Sequence, residues 1–262
     1  EENKNYVFHK IDINQKSKIT NILKKYKPEG IFNLAAETHV DRSIDNPKNF
    51  IASNILGTYN LLESVLNYNK KIRIVHVSTD EVFGDLVKGR SRENFPYNPS
   101  SPYAASKAAA DLLVQSYIRT HGLPALIVRG SNNFGPFQYP EKLIPLAITN
   151  LLEAKPIPIH GDGLQVRSWL HVEDFCNALN KIINSRNCQN QIINIGSNYE
   201  KSVYGVAKLI LKYKYPKKIK KIIKIKAPKG SASRRVPNIK KIYKLVGWKP
   251  RIDINQGIRK LL

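Results

Sequence analysis

The strongest constraint on the fold is a pattern that repeats along the first 200 residues. Short runs rich in β-branched residues alternate with longer stretches in which apolar residues recur every three or four positions. This alternation is typical of a parallel sheet covered by helices. The predicted strands are residues 6–11, 30–34, 72–78 and 125–129, and the predicted helices are residues 17–26, 50–67 and 102–121. Ser101 and Pro102 give the third helix its start, because serine caps helices and proline suits the first helical position.

The composition changes after Arg129. Asn, Gly and Pro crowd into residues 131–140 and again into residues 156–163, which indicates loops rather than regular elements. We therefore expect the chain to leave the sheet there and build a smaller lobe. The expected division places one domain at residues 1–133 with 170–186, and a C-terminal lobe at residues 134–169 and 187–262.

The start of the sequence lacks an element that dinucleotide-binding folds normally carry. Such folds begin with a strand, a glycine-rich turn and a helix whose N-terminus receives the pyrophosphate. The first glycine here is Gly30. Either the protein binds no dinucleotide, or the sequence begins after that unit. In the second case we expect an incomplete Rossmann-like, doubly wound α/β sheet without its first β-α-β unit, and weak or no binding of a dinucleotide by this chain.

The chain is strongly basic, with 43 Lys and Arg against 20 Asp and Glu. Residues 201–252 carry 18 of these cations and no acidic residue. A solvated lysine face explains this better than a surface built for polyanions. Nucleic acid would need stacking aromatics among the lysines, and Tyr204, Tyr213 and Tyr215 are too few and too irregular.

Two cysteines, Cys176 and Cys188, fit neither a metal cluster nor a disulfide framework. No stretch reaches the ~18 apolar residues that a membrane-spanning helix needs. We expect a cytoplasmic protein with no bound metal and no membrane association.

Two short patterns carry chemistry. Tyr103 and Lys107 share one face of a predicted helix, and an ammonium beside a phenol favours the phenolate, which lowers the pKa of the tyrosine. The strand before Thr79, Asp80 and Glu81 places a hydroxyl and two carboxylates at its carboxyl end, where open α/β sheets bind ligands. Two such acids can divide the roles of proton donor and acceptor. Taken alone, each pattern also fits a chance helical pair or a polar turn.

A third pattern, residues 33–39, ends an upstream strand. Ala35 and Ala36 are small enough to let a flat cofactor approach the backbone, although alanines equally pack beneath helices. His39 and Asp41 fit a catalytic role or a hydrogen-bonding scaffold.

Together and in this order, these segments resemble the nucleotide-sugar 4,6-dehydratases of the extended short-chain dehydrogenase/reductase superfamily. The matching text is NLAAETHVDRSIDNPKNFIASNILGTYNLLE from Asn33, HVSTDEVFGD from His76, SPYAASKAAADLLVQSY from Ser101, RGSNNFGPFQYPEKLIP from Arg129 and GDGLQVRSWLHVEDF from Gly161. The similarity is strong over residues 5–200 and weak beyond them.

The resemblance implies an NAD-dependent lyase, with dTDP-glucose as the expected substrate. In such a reaction Tyr103 takes the proton of the sugar 4-hydroxyl, while Lys107 holds the cofactor ribose and tunes the tyrosine. Glu81 removes the C5 proton, Asp80 protonates the departing 6-hydroxyl, and Thr79 orients the sugar. Asp80 separates this family from related decarboxylases, which carry Thr-Ser-Glu, and from epimerases, which need no acid pair.

The same resemblance implies the binding residues. The residues expected to bind NAD are Asp12, Ile13, Leu34, Ala35, Ala36, Thr38, Ser53, Tyr103, Lys107 and Asn133. Those expected to bind the nucleotide-diphospho-sugar are Thr38, His39, Thr79, Asn132, Lys142, Leu143, Arg167, Asn194, Lys229 and Arg235. A homodimer through residues 50–67 and 102–121 is also implied.

Two departures from the family pattern keep alternatives open. Residues 228–235 replace an Asp-Arg-Pro-Gly-His stretch and paired arginines with Pro-Lys-Gly-Ser-Ala and Ser-Arg-Arg, and Arg167-Ser168-Trp169 replaces Arg-Asp-Trp. The residues that would recognise the base and ribose differ from the family pattern, so the nucleotide is open between dTDP, UDP and others. An epimerase or decarboxylase of the same superfamily is the alternative enzyme, and a basic nucleic-acid-binding protein is the alternative outside it.

Overall fold

The computed structural model describes residues 5–214, 222–227 and 232–262. Its helices are α1 (Lys16–Tyr26), α2 (Val40–Asp45), α3 (Pro47–Phe50), α4 (Gly57–Tyr68), α5 (Pro102–His121), α6 (Leu143–Leu152), α7 (Val172–Ile183), α8 (Val203–Lys214), α9 (Lys240–Val246) and α10 (Ile254–Leu261). Its strands are β1 (Gly30–Asn33), β2 (Arg73–Thr79), β3 (Ala125–Gly130), β4 (Asn132–Phe134), β5 (Ile157–His160), β6 (Val166–His171), β7 (Ile192–Ile195), β8 (Glu200–Ser202), β9 (Ile222–Ile225) and β10 (Arg234–Arg235).

The main sheet is parallel and has the order β1-β2-β3-β7. Alternate residues of its central strands enter opposite cores, as the two-residue period of a strand requires. Ile74 and Ile127 pack with α1, α4 and α5, whereas Val75 and Val128 pack with α7 and α9. The expected α/β class with helices on both faces of a parallel sheet is confirmed.

The smaller lobe is built from the remaining strands. Strands β10, β6 and β4 form a second sheet with β8 antiparallel to β6, and β5 pairs with β9. Helices α6, α8 and α10 cover a separate apolar core around Phe134 and Trp169. The range 187–262 expected for this lobe contains β7, which pairs with β3 in the main sheet. It also contains α9, which packs against β7.

Two local expectations were wrong. Residues 6–11 form no strand: Tyr6 and Phe8 are each 71% exposed, and a strand needs a neighbour to take its hydrogen bonds. Residues 50–67 do not form one α-helix, because residues Ile51–Leu56 adopt a π-helical segment between α3 and α4. Such wider turns occur frequently at functional sites.

Helix α5 has the predicted bounds. The Ser101 hydroxyl accepts a hydrogen bond from the Ala104 N–H at 3.1 Å, and Pro102 opens the helix. Gly122 ends it with φ of 65°, a left-handed conformation that glycine adopts without strain. None of the helices in the described ranges has the length and apolar character needed to cross a bilayer.

Candidate active site

A cleft of about 290 Å³ lies at the carboxyl ends of β1, β2 and β3. Parallel strands bring their carboxyl ends to one sheet edge, so short segments distant in sequence meet there. The lining residues from the sequence prediction are Leu34, Ala36, Thr38, Thr79, Asp80, Glu81, Tyr103, Lys107, Asn132, Asn133 and Lys142. The structure therefore brings the phenol, the amine and both carboxylates to one cavity.

Tyr103 and Lys107 enter the cleft from the first turns of α5. The Tyr103 hydroxyl shares a hydrogen bond with the Thr79 side chain, and the Lys107 ammonium donates to the Val77 carbonyl oxygen at 2.7 Å. Both side chains are buried. These contacts fix the distance between α5 and the end of β2, and hence the position of the phenol relative to the carboxylates.

The expected lowering of the tyrosine pKa is not found. Burial raises the pKa of Tyr103, and the nearby negative charge of Glu81 raises it further. Burial also lowers the pKa of Lys107 to about 8, against the opposing attraction of Asp111. Desolvation is thus the main cause of both shifts, and each shift favours the neutral form of its group.

Asp80 and Glu81 are adjacent in sequence but lie in different surroundings. Asp80 is 3% exposed, and its Oδ2 has no hydrogen-bond partner among the described residues. Burial raises the pKa of Asp80 to about 6, partly offset by Arg235. Glu81 instead forms an ion pair with Arg235. One carboxyl is thus suited to carry a proton near neutral pH, and the other is paired with a cation.

A second cavity, about 250 Å³, adjoins the cleft at Asn132. Arg167, Arg235 and Leu143 line it, together with Trp169. The Arg167 guanidinium donates to the carbonyl oxygen of Ala232 at 2.8 Å. Burial, together with Arg235, lowers the pKa of Arg167 to about 10, so it stays charged at neutral pH. Two guanidinium groups beside an apolar wall suit a diphosphate that carries a planar base.

A third cavity, about 570 Å³, joins the cleft at Leu34. Its walls include Asp12, Ile13, Ala35 and Ser53, all predicted from the sequence. A carboxylate and a hydroxyl among apolar side chains suit a ribose and a flat base.

Comparison with known proteins places this architecture. The GDP-mannose 4,6 dehydratase family matches residues 1–261. The chain belongs to this family. A dTDP-glucose 4,6-dehydratase from Haemophilus influenzae is 43% identical, with 99% of this chain and 82% of that protein covered.

Solved dTDP-glucose 4,6-dehydratases have the same fold as this family member. The enzyme from Bacillus anthracis, in complex with NAD, superposes with a TM-score of 0.90 at 38% identity and covers 99% of this chain and 79% of its own. The enzyme from Streptomyces venezuelae, also with NAD bound, gives 0.92 at 35% identity, with 98% and 80% covered.

Two predicted binding residues of this family member, His39 and Asn194, line none of the three cavities. His39 caps α2, accepting from the Arg42 N–H at 3.4 Å, and does not line the cleft. Asn194 is fully buried in β7, where its side-chain amide donates to the Ser91 carbonyl oxygen at 3.0 Å. It ties a loop to the sheet and lines none of the three cavities. Lys229 lies outside the described residues.

Sequence reasoning missed Asn54 in the π-helical segment. Its side-chain oxygen accepts from the Glu37 N–H at 2.8 Å, and its amide donates to the Glu37 carbonyl oxygen and the Ser106 hydroxyl. Asn54 therefore fixes the loop after β1, which lines two of the cavities, to helix α5. The only sequence signal is a polar residue within an apolar helical pattern, which does not identify its partners.

Proposed function

We propose that this protein is a hydro-lyase that converts dTDP-glucose to the 4-keto-6-deoxy sugar with NAD as cofactor. One observation carries the proposal: Asp80 and Glu81 face the same cleft as Tyr103 and Lys107, with one acid buried and the other paired with a cation. Removing water across C5 and C6 requires a base that takes the proton from C5 and an acid that protonates the hydroxyl on C6.

The residues present suit the cofactor. Asp12, Ser53 and the apolar wall would hold its adenosine half, and Lys107 would hold the second ribose. Asn133 Oδ1 is a buried acceptor without a hydrogen-bond partner among the described residues, so it is free to accept from a carboxamide. When bound, NAD stores the hydride taken from C4 until C6 receives it, and it brings positive charge into the cleft.

The chain's own groups would move the protons. Tyr103 accepts the proton of the 4-hydroxyl, which requires Lys107 and the charge of the cofactor to favour phenolate against burial and Glu81. The resulting ketone acidifies the C5 proton, which Glu81 removes. Asp80 protonates the 6-hydroxyl, and water leaves. Glu81 then returns its proton to C5. At the end Tyr103 holds one proton more than at the start and Asp80 one fewer, so the total number of protons is unchanged.

Arg167 and Arg235 would neutralise the diphosphate, with Lys142 at the boundary between the two cavities. We infer dTDP as the nucleotide on the strength of the relatives, since the base contacts are not fixed by any side chain described above.

We also infer a homodimer formed through residues 50–67 and α5, because Ile51, Tyr59 and Leu112 are 40–54% exposed there. A cytoplasmic location is inferred from two free cysteines. Light scattering on the wild type and on Leu112→Glu tests the dimer, and a monomeric wild type contradicts it.

The decisive experiment incubates the purified protein and added NAD with dTDP-glucose, and separately with UDP-glucose. A second sample carries the glycine-rich first unit of a relative ahead of residue 1, because the sequence has no glycine before Gly30. We expect a product lighter by one water with a methyl signal from C6, formed faster from dTDP-glucose. A product of unchanged mass, inverted at C4, would make the protein an epimerase instead.

A further inference from the structure

Behind the cleft lies a buried charged group that the proposed reaction does not use. Asp111 follows Lys107 by one turn of α5, and its side chain is fully buried. Arg129, at the end of β3, donates from Nε to Asp111 Oδ2 at 3.1 Å. Removing one partner of a buried ion pair is strongly destabilising, because it leaves an unpaired charge away from water. Asp111 therefore places a buried carboxylate one helical turn from Lys107.

Arg129 links this pair to the catalytic turn. Its guanidinium lies between the rings of Phe83 and Tyr97, 4.7 Å from each centroid. It also donates to the Tyr97 hydroxyl at 2.6 Å and to the carbonyl oxygen of Glu93 at 3.1 Å. Phe83 ends the 3-10 turn that begins at Asp80. The pair therefore joins α5 to the segment that carries the two carboxylates.

The second oxygen of Asp111 faces His76. The distance from Asp111 Oδ1 to His76 Nε2 is 3.8 Å, and the Ser78 side chain also interacts with this carboxylate. Asn33 donates to His76 Nδ1 at 3.1 Å, which places the ring proton on Nε2. Burial and the charge of Lys107 hold the pKa of His76 well below its usual range. The His76 ring is therefore neutral and brings no positive charge to pair with the Asp111 carboxylate.

Charged and titratable groups lie around Lys107 on its own helix and on the neighbouring strands. Asp111 and Tyr103 lie on its own helix, His76 on β2 and Arg129 on β3. Asp80 and Glu81, on the turn after β2, line the same cleft as Lys107. Burial raises the pKa of Asp111 and the charge of Arg129 lowers it, and the Arg129 guanidinium pairs with the Asp111 carboxylate at 3.1 Å. Burial lowers the pKa of Lys107, and the negative charge of Asp111 raises it.

We propose that Asp111 is a positioning residue for the reaction: its carboxylate keeps the Lys107 ammonium charged in the cleft wall and, through Arg129, fixes the Asp80–Phe83 turn. The proposal deepens the proposed function, on which its catalytic meaning rests. The electrostatic part depends only on the placement of Asp111, which is fully buried one turn after the buried Lys107 on α5.

The test follows the charge of Lys107 directly. Protein labelled with ¹³C at lysine Cε is titrated by NMR, and the Lys107 signal is assigned by its loss in Lys107→Arg. In the wild type we expect a midpoint near 8. In Asp111→Asn we expect the midpoint to fall by about one unit, the lower end of the effect of an opposite charge at short range. In Asp111→Glu, which keeps the charge, it should stay near the wild-type value.

Tyr97→Phe is the matched control, because it removes two hydrogen bonds to the same pair, one with each member, without changing any charge. Its Lys107 midpoint should not move. If Asp111→Asn does not fold, the double variant Asp111→Asn with Arg129→Gln replaces the ion pair by a neutral one and should show the same fall. An unchanged Lys107 midpoint in the folded asparagine variant, or an equal fall in Tyr97→Phe, overturns the proposal.

A kinetic measurement separates this proposal from the proposed function. In the active protein, the alkaline limb of the kcat profile should move to lower pH in Asp111→Asn by the same amount as the NMR midpoint. A purely structural role would lower kcat at every pH without moving the limb. If the wild type turns over no sugar nucleotide, the proposed function fails while the NMR result still decides the role of Asp111 toward Lys107.

Discussion

Replacing Asp80 by asparagine tests the division of roles between the two carboxyls. The amide keeps the size of the side chain but cannot donate a proton as an acid. Tyr103 and Lys107 are untouched, so oxidation at C4 should proceed. Elimination of the 6-hydroxyl should slow, because hydroxide is a poor leaving group without a proton donor.

The size of the effect follows from the burial of Asp80. Its pKa of about 6 leaves roughly one carboxyl in ten protonated at pH 7. The protonated form is fully present below this pKa and is lost as the pH rises through it, so wild-type elimination should fall with rising pH from about 6. General acids contribute about 10²–10⁴-fold to rate. We expect Asp80→Asn to slow elimination by at least about 10²-fold at pH 7, and to lack this pH dependence.

The assay separates the two chemical steps in one rapid-quench series. Reduced cofactor reports oxidation at C4, and loss of one water in the mass spectrum of the sugar reports elimination. Asp85→Asn is the matched control: this carboxylate accepts from Ser233 and Arg234 outside the cleft. An unchanged elimination rate in Asp80→Asn would remove this residue from the mechanism. The variant should also unfold at an equal or higher temperature at pH 7, because it no longer buries an anion.

Further predictions concern the charge beside Asp80, the N-cap of α5 and a turn glycine. Arg235→Gln should move the falling limb of elimination to higher pH, because this guanidinium lowers the pKa of Asp80; an unmoved limb contradicts that. Ser101→Ala should cost about 1 kcal/mol in urea unfolding through the lost N-cap, whereas Ser116→Ala, on the exposed side of α5, should cost a few tenths at most; equal losses would exclude capping as the cause. Gly84→Ala should cost about 2 kcal/mol, because φ is +71° there and the added Cβ meets a backbone carbonyl; a cost below a few tenths would refute this.

Local signals predicted α5 to its terminal residues, because the elements that start and stop it lie within the helix or next to it. Ser101, Pro102 and Gly122 act on neighbouring backbone groups. The strand at residues 6–11 failed for the opposite reason: its apolar pattern is local, but a strand exists only with a hydrogen-bonding neighbour. The π-helical segment was not predicted either, and Asn54 within it binds Glu37 and Ser106, which are distant in sequence.

The candidate site shows the same boundary between local and distant information. Motif spacing brought Thr79, Asp80 and Glu81 to the end of β2, as the structure has them. It gave the wrong direction for the pKa of Tyr103, since that direction depends on burial. Asn194 matched a family pattern in sequence, yet its side chain turns toward the loop at Ser91.

The roles proposed for Asp80 and Glu81 depend on the contact between the main sheet and the smaller lobe. Both residues lie in the 3-10 turn that follows β2 in the main sheet, so the secondary structure alone does not give them different roles. Arg235 belongs to the sheet of the smaller lobe, and it binds Glu81 while lowering the pKa of Asp80 only in part. Without that lobe, neither carboxyl would have a cation to distinguish it from the other. A change that separates the lobes should therefore impair elimination more than oxidation at C4, because the phenol and amine are held by α5 and β2 within the main domain.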